Sequence, residues 1–195
     1  MKILGIDPGK GGGLAVIDSD THEVIEVTAM PETLTDISDF VERHKDAGCA
    51  YIEIVHSMPK QGVASTFTFG QFYGYVQMAV TCHKIRCIDV LPSKWQTALS
   101  MKAKKNEGYE AHKRRLKGKA QQLFPKVKVT LKNADALLIA EYGCIQEANP
   151  LPRPDNPKAM GRQEMWRMRS LYSRDFAPYA ERPRTQTHDG QMPLV

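Results

Sequence analysis

Three short apolar runs stand close together in the first 30 residues, and the turns between them are too short to hold a helix. The first, residues 2–6, stops at Asp7-Pro8-Gly9, and a glycine-rich stretch leads from there into the second, residues 14–18. The third covers residues 23–29. Apolar runs of this length bounded by proline and glycine are typical of buried strands. Because strands joined by short turns pair antiparallel, we predict that a sheet begins here as a three-stranded meander.

Helices and strands alternate in the next part of the chain. Apolar residues recur at helical spacing from Leu34 to Val41, and Gly48 ends that helix. Asn133 is the expected N-cap of a late apolar helix. The remaining predicted elements are strands at residues 50–55 and 85–91 and helices at residues 69–82, 92–99, 109–124 and 133–146. Five strands with intervening helices predict an α/β fold in which helices flank a five-stranded sheet.

The last quarter of the chain has a different composition. Four prolines fall between residues 150 and 157, and a polar tail follows a short helical pattern around residues 165–172. We therefore predict one compact domain over residues 1–148. Residues 149–195 are expected to form a C-terminal arm, either wrapped on the domain or on a partner, or partly disordered.

Composition excludes several classes of protein. The 195 residues are 42% hydrophobic and 25% charged, as in a soluble globular protein, and the net charge of +5 makes nucleic acid a partner to consider. No apolar run approaches the ~18 residues that span a bilayer, and the charged start is not that of a signal peptide, so a cytoplasmic protein is expected. The four cysteines form no CxxC pair. We expect reduced, mostly buried thiols and no structural zinc site.

Three carboxylates fall at positions where an acid is unusual. Asp7 ends the first strand, Glu53 interrupts an apolar strand, and Asp135 lies in the first turn of the last apolar helix. One acid at a strand end is commonly a solvated edge or a cap. Two acids on adjacent central strands would repel each other, and Mg²⁺, which prefers oxygen ligands, would remove that conflict. The third acid would complete a site for one or two ions that activate water and stabilise the leaving oxygen of a phosphodiester.

Four motifs, in this order along the chain, resemble the RuvC family of Holliday-junction resolvases. They are Gly5-Ile-Asp-Pro-Gly9, Ile52-Glu53, Gly70-Gln71-x-x-Gly74 and Ala134-Asp-Ala-Leu-Leu-Ile-Ala140. The stretches Met58-Pro-Lys-Gln-Gly62 and Leu137-Leu-Ile-Ala-Glu-Tyr142 are similar to those of its phage and prophage branch. The resemblance covers roughly residues 1 to 145.

This resemblance implies an RNase H-like fold with a mixed five-stranded sheet. It also implies a homodimer that nicks a four-way DNA junction symmetrically, with Mg²⁺, or Mn²⁺ in its place, as one or two ions per site and no nucleotide cofactor. Carried over motif by motif, Asp7, Glu53 and Asp135 are the expected metal ligands.

The chain departs from the family pattern one helical turn before Asp135, where the family usually has a second acid or a histidine. Lys132 stands there, and no carboxylate lies three or four residues from Asp135 on either side, while Glu141 faces elsewhere. Three interpretations remain open. Lys132 holds the scissile phosphate or protonates the leaving oxygen, or it is a surface lysine beside a site of three acids, or it marks impaired chemistry.

Candidate DNA contacts fall in two places. A basic helix starting near Tyr109 carries Lys113, Arg114 and Arg115, which is a solvated face in many proteins and a backbone-neutralising surface beside a nuclease site. The loop after Glu53 carries three more candidates. Of these, Lys60 and Gln61 are expected to contact backbone, and His56 either stacks on an unpaired base or has a structural role. The helix around residues 69–78, apolar on more than one face, is the predicted dimer interface.

Alternative classes of protein share some of these sequence features with a junction resolvase. An actin-like ATPase or sugar kinase needs two such domains and a longer chain. A P-loop nucleoside triphosphatase needs a GxxxxGK[ST] motif that residues 5–10 lack. A junction-binding protein without catalysis is favoured only by Lys132. A less selective nuclease acting on replication-intermediate or host DNA shares every feature of the site, so the sequence does not separate it from a strict resolvase.

Overall fold

The computed structural model describes residues 1–54 and 62–148, and these form an α/β fold. Five strands and five helices follow the predicted order. They are β1 (Lys2–Asp7), β2 (Gly13–Asp18), β3 (Val24–Ala29), α1 (Leu34–Arg43), β4 (Cys49–Glu53), α2 (Val63–Cys82), β5 (Arg86–Val90), α3 (Pro92–Ala98), α4 (Tyr109–Leu123) and α5 (Ala134–Ala148). The predicted arm at residues 149–195 lies outside the described residues, so its boundary stays a prediction.

The sheet is mixed, and its strand order is β3-β2-β1-β4-β5. The first three strands pair antiparallel, as the meander predicts, whereas β4 pairs parallel with both β1 and β5. The connection from β1 to β4 includes α1, and α2 connects β4 to β5. These two helices cover one face of the sheet, and α3, α4 and α5 cover the other. The predicted fold class is therefore confirmed.

Alternate residues of each strand face opposite sides of the sheet. On β1, Ile3 packs with α3, α4 and α5, whereas Leu4 and Ile6 pack with α1 and α2. The same alternation holds on β4, where Tyr51 faces α5 and Ile52 faces the other core. Because both faces are covered, β1 and β4 are nearly continuous apolar runs.

Helix α5 lies unusually close to β1 because Gly5 has no side chain. A β-carbon at Gly5 would collide with the carbonyl oxygen of Ala136 and the backbone nitrogen of Ala140. Both are backbone atoms of the helix, so the collision has no flexible side chain to relieve it. Gly5 therefore fixes the distance at which the first turns of α5 lie above the central strand.

Two element boundaries differ from the prediction. Helix α1 ends at Arg43 and not near Gly48, because the His44 backbone N–H bonds to the carbonyl oxygen of Val41 and its imidazole Nε2 lies 2.7 Å from Glu26 Oε2 on β3. Helix α2 begins at Val63, earlier than residue 69, and its N-cap makes no side-chain bond. With no capping side chain to mark it, the start of α2 carries no local signal in the sequence.

Asn133 and the cysteines also differ in part from expectation. The Asn133 side chain accepts from the Thr130 backbone N–H at 2.7 Å, so it stabilises the preceding loop and not the first turn of α5. All four cysteines are free, but only Cys49 and Cys144 are buried. The prediction of mostly buried thiols is wrong for the other two, which lie at the end of α2 and on the edge strand β5.

Helix α2 exposes part of its apolar surface. Only Val76 and Val80 are fully buried, whereas Val63, Phe67 and Met78 are more than half exposed. The predicted dimer interface falls on this helix, and the dimer itself stays a prediction. Within the described ranges, no helix is long and apolar enough to cross a membrane.

Candidate active site

Asp7 and Glu53 lie side by side at the carboxyl ends of neighbouring parallel strands. Ile6 of β1 is paired with Ile52 of β4, so the next residue on each strand is one of these two acids. Side chains two or four residues apart on a strand face the same side of the sheet, so Asp7 shares the face of Ile3 and Glu53 that of Tyr51. Ile3 and Tyr51 both face α5, and Asp7 and Glu53 therefore face α5 as well. The sheet therefore adopts the expected arrangement, with Asp7 and Glu53 on adjacent strands.

Asp135 reaches the same place from above the sheet. It lies in the first turn of α5, whose packing on β1 across Gly5 brings that turn over the strand end. Asp135 is 4% exposed and Asp7 8% exposed, which is unusual for ionisable side chains. Three carboxylates from β1, β4 and α5 therefore share one small, largely dry volume.

Burial and the repulsion between neighbouring carboxylates favour the protonated forms of Asp7 and Glu53. Loss of water raises the pKa of Asp7 well above its ordinary value, and the charges of Glu53 and Asp135 raise it further. Burial likewise raises the pKa of Glu53 to about 7, against the hydrogen bond from Trp95, which lowers it. A site where carboxylates are short of positive charge favours an added cation.

Trp95 is a site residue that the sequence analysis did not single out. Its indole Nε1–H donates to Glu53 Oε1 at 2.8 Å, and the ring is fully buried at the start of α3. The bond fixes one oxygen of Glu53 and leaves the other for a different partner. Trp95 lies three residues after Pro92, the first residue of α3, and no local sequence pattern marks its role. Only the packing of α3 directs the indole towards β4.

Lys113 enters the acid cluster instead of lying on the surface of the basic helix. Its Nζ is 2.5 Å from Asp135 Oδ2, with the two side chains 25% and 5% exposed. Burial works against the ammonium, but the charges of Asp135 and Asp7 outweigh it and raise the pKa of Lys113 above its ordinary value. Lys113 was predicted as a phosphate contact, and the structure places it against the predicted metal ligands.

The three acids fit a hard divalent cation. Asp135 Oδ1 is buried and has no hydrogen-bond partner among residues 1–54 and 62–148, although its other oxygen is bound by Lys113. An orphaned buried carboxylate oxygen is costly unless something positive occupies the space beside it. Carboxylate oxygens are the ligands that Mg²⁺ and Mn²⁺ prefer.

Within residues 1–54 and 62–148, neither Lys132 nor Glu141 bonds to an acid of this cluster. Lys132 is exposed, and in the described part of the chain it forms no hydrogen bond or ion pair with any of the three acids. Glu141 faces elsewhere, as predicted, and its Oε2 lies 2.9 Å from Nδ1 of His22. The catalytic interpretation of Lys132 stays a prediction.

The predicted basic DNA surface divides into three environments. Arg114 is exposed, and among residues 1–54 and 62–148 it makes no hydrogen bond or ion pair. Arg115 binds Glu107 through both Nε and Nη2 and also bonds the carbonyl oxygens of Met101 and Lys102, so it braces the loop before α4. Lys113 points into the acid cluster. The remaining predicted contacts, His56, Lys60 and Gln61, lie outside the described residues.

A second group of possible metal ligands lies further along α5. His22, Glu141 and Cys144 place their donor atoms within 4.8 Å of one another. The sequence analysis missed it because His22 is far from the others in the chain and no cysteine–histidine spacing marks it. His22 ties the β2–β3 turn to α5 through the contact between its Nδ1 and Glu141 Oε2.

The fold is similar to solved structures of RuvC. The structure of Thermus thermophilus RuvC in complex with a Holliday junction substrate matches with a TM-score of 0.58 and 17% identity, over 77% of this chain and 96% of that one. A second structure of Thermus thermophilus RuvC matches with a TM-score of 0.55 and 17% identity, over 76% of this chain and 96% of that one. No protein-family model matches the chain, and no curated protein matches its sequence. The chain has the RNase H-like fold of RuvC, with three acids converging at the carboxyl ends of its central strands.

Proposed function

We propose that this protein is a divalent-metal-dependent endonuclease that cuts branched DNA, with the four-way junction as its substrate. The observation that carries the proposal is the convergence of Asp7, Glu53 and Asp135 at one sheet edge, with a buried oxygen of Asp135 left without a partner. The solved structure of RuvC with a Holliday junction supports the choice of substrate, because the two chains share their fold.

The three acids are proposed to hold one or two Mg²⁺ or Mn²⁺ ions. When bound, such ions activate water and stabilise the leaving oxygen of a phosphodiester. Trp95 keeps one oxygen of Glu53 occupied, and that leaves the other in a defined direction for a metal. Gly5 sets the height of Asp135 above the two strand ends.

The proposed DNA contacts surround this edge. Arg114 is exposed and available to backbone phosphates. Lys132 is exposed near the first turn of α5 and is proposed to hold a phosphate close to the cut. His56, Lys60 and Gln61 follow Glu53 closely in the chain and are proposed to contact the strand that is cut or the bases near the crossover. Arg115 is left out of the DNA surface because Glu107 already neutralises it.

Symmetric nicking requires two sites, and we propose a two-fold homodimer formed through α2. Val63, Phe67 and Met78 expose apolar surface on a helix that is apolar nearly all round, which supports a partner on that side. Light scattering at micromolar concentration is expected to give twice the 21.9 kDa chain mass. The mass of one chain together with full junction cleavage would contradict the dimer.

The proposal is tested by cleavage of a synthetic four-way junction compared with linear duplexes made from its arms. With Mg²⁺, the wild-type protein is expected to nick two opposed strands of the junction and leave the duplexes intact, and with EDTA it should cut neither. Asp135→Asn is the matched inactive control. Equal cutting of both substrates would favour the less selective nuclease, and tight junction binding without cutting would favour a binding protein.

A further inference from the structure

Lys113 occupies a position that demands an explanation beyond DNA binding. Its ammonium contacts Asp135 Oδ2, and its charge also acts on Asp7 and Glu53. An exposed lysine–aspartate pair contributes little to stability, but this pair is largely buried, and its aspartate is 5% exposed. The ammonium is therefore the positive charge closest to three clustered carboxylates.

The balance of charge shows what this ammonium does when no metal is bound. When all three carboxylates are ionised they carry three negative charges, and Lys113 offsets one of them. Without it, the cluster would hold three acids with no cation beside them. A divalent ion at the same acids would face an ammonium already bound to one of its ligands, and like charges at such short range repel strongly where water is scarce.

The Lys113 ammonium also lies near a second group, the aromatic ring of Tyr109. Lys113 Nζ lies 6.0 Å from the centre of the Tyr109 ring, at the limit of a cation–π contact. Tyr109 is 71% exposed at the start of α4, so this ring lies on the side of Lys113 that opens to solvent. A change of side-chain rotamer suffices to take the ammonium from Asp135 towards this rim, because lysine has a long flexible stem.

We propose that Lys113 is an internal counter-ion that competes with the divalent metal for Asp135. In the metal-free protein it offsets one negative charge of the site. On metal binding it leaves Asp135 and moves to the rim at Tyr109, where it can pair with a DNA phosphate. Metal binding and DNA binding are then linked through one side chain. This inference rests on the proposed metal site, and it adds that the chain's own lysine limits metal affinity.

The first test measures Ca²⁺ and Mn²⁺ binding without DNA by titration calorimetry at pH 8. Lys113→Met removes the ammonium and keeps an apolar stem, and Lys119→Met is the matched control on the same helix. Lys113→Met is expected to bind the metal roughly tenfold more tightly than wild type, which corresponds to ~1.4 kcal/mol. Lys119→Met should bind like wild type, and Lys113→Arg, which keeps the charge, should not gain affinity.

The second test measures thermal unfolding of the same variants. In EDTA, Lys113→Met is expected to melt below wild type because its acids have lost their counter-ion. Saturating Ca²⁺ should remove most of that difference, whereas the Lys119→Met curve should follow wild type in both conditions. This readout does not depend on cleavage, and circular dichroism of each variant in Ca²⁺ checks that it is folded.

The outcomes separate this inference from the proposed function. If wild type binds no divalent metal, or if Asp135→Asn binds it as well as wild type, the proposed metal site fails. If wild type binds metal but Lys113→Met binds it equally or more weakly, the site stands and the counter-ion role is overturned. A deficit in the melting temperature of Lys113→Met that Ca²⁺ leaves unchanged would likewise mark Lys113 as a structural residue only.

Discussion

The two ends of α5 treat carboxylates that are withdrawn from solvent in opposite ways. Near its end, Glu147 accepts from the Tyr51 hydroxyl at 2.8 Å and pairs with Arg86 at 2.6 Å, so both of its oxygens have partners. At its beginning, Asp135 shares a single ammonium with Asp7 and Glu53 and keeps one buried oxygen without a partner. Both ends are packed on the same sheet face. This difference fits the roles proposed for the two ends: Glu147, with a full set of protein partners, is structural, and the Asp135 cluster, short of partners, holds an external cation.

The largest expected effect is on cleavage activity, and it distinguishes the acid cluster at the beginning of α5 from Glu147 near its end. Asp135→Asn, Glu53→Gln or Asp7→Asn should lower junction cleavage by roughly 10²–10³-fold or more, the scale on which loss of one transition-state-stabilising group acts. Junction binding should persist, because removing negative charge does not weaken attraction to phosphate. Glu147→Gln is the control at the other end and should cleave normally. It should lose about 1 kcal/mol of stability, since Arg86 is half exposed. Strong Mg²⁺-dependent cutting by Glu53→Gln would contradict the site assignment.

The next effect concerns the glycine that positions α5. Gly5→Ala should lower the free energy of unfolding by about 3 kcal/mol or more, because its β-carbon would meet backbone atoms of Ala136 and Ala140. Urea denaturation measures the change. Gly118→Ala on α4, where a β-carbon meets open space, is the matched control and should be neutral or slightly stabilising. Equal stability of the Gly5 and Gly118 variants would show that α5 can shift freely.

The third effect is a dependence of stability on pH that only the acid cluster should show. The pKa of Glu53 is raised from 4.5 to about 7, so between these values the folded protein keeps a proton that the unfolded chain has lost. Stability in EDTA should therefore fall as pH rises from 5 to 8, and the Glu53 contribution is on the order of 2 kcal/mol. Glu53→Gln should lose that part of the dependence in urea denaturation at the two pH values. Cleavage with Mg²⁺ should decline as the pH falls, because a proton competes with the metal for Glu53.

The smallest effect tests the basic helix residue by residue. Arg114→Ala should weaken binding to junction and duplex alike and reduce the salt dependence by roughly 0.9 log unit for one lost phosphate contact. Arg115→Ala should mainly destabilise the loop before α4, because its partners are Glu107 and two carbonyl oxygens. Binding measured by fluorescence anisotropy at several salt concentrations separates the two variants. Identical salt slopes for wild type and Arg114→Ala would place the DNA surface elsewhere.

Much of the fold was predictable because it depends on local patterns. The apolar runs of β1 and β4, their turns and the helical spacing of α1 all appear in a few consecutive residues. The three acids were also predictable, because an ionisable side chain at the end of a buried strand or in the first turn of an apolar helix is conspicuous. The start of α2 was not, since the N-cap of this helix makes no side-chain bond that would mark it.

The sequence by itself determined the strands, the helices and the identity of the acids, because strand periodicity and burial are properties of short segments. Only the tertiary structure decided what surrounds those acids. Trp95 and Lys113 come from helices distant in the chain, and a lysine amid basic neighbours gives no sign that it points inward. The difference between Glu147 and Asp135 is equally invisible in sequence, since both are acids on one apolar helix. Which of them finds enough partners depends on the side chains that the folded sheet and the other helices bring to each end.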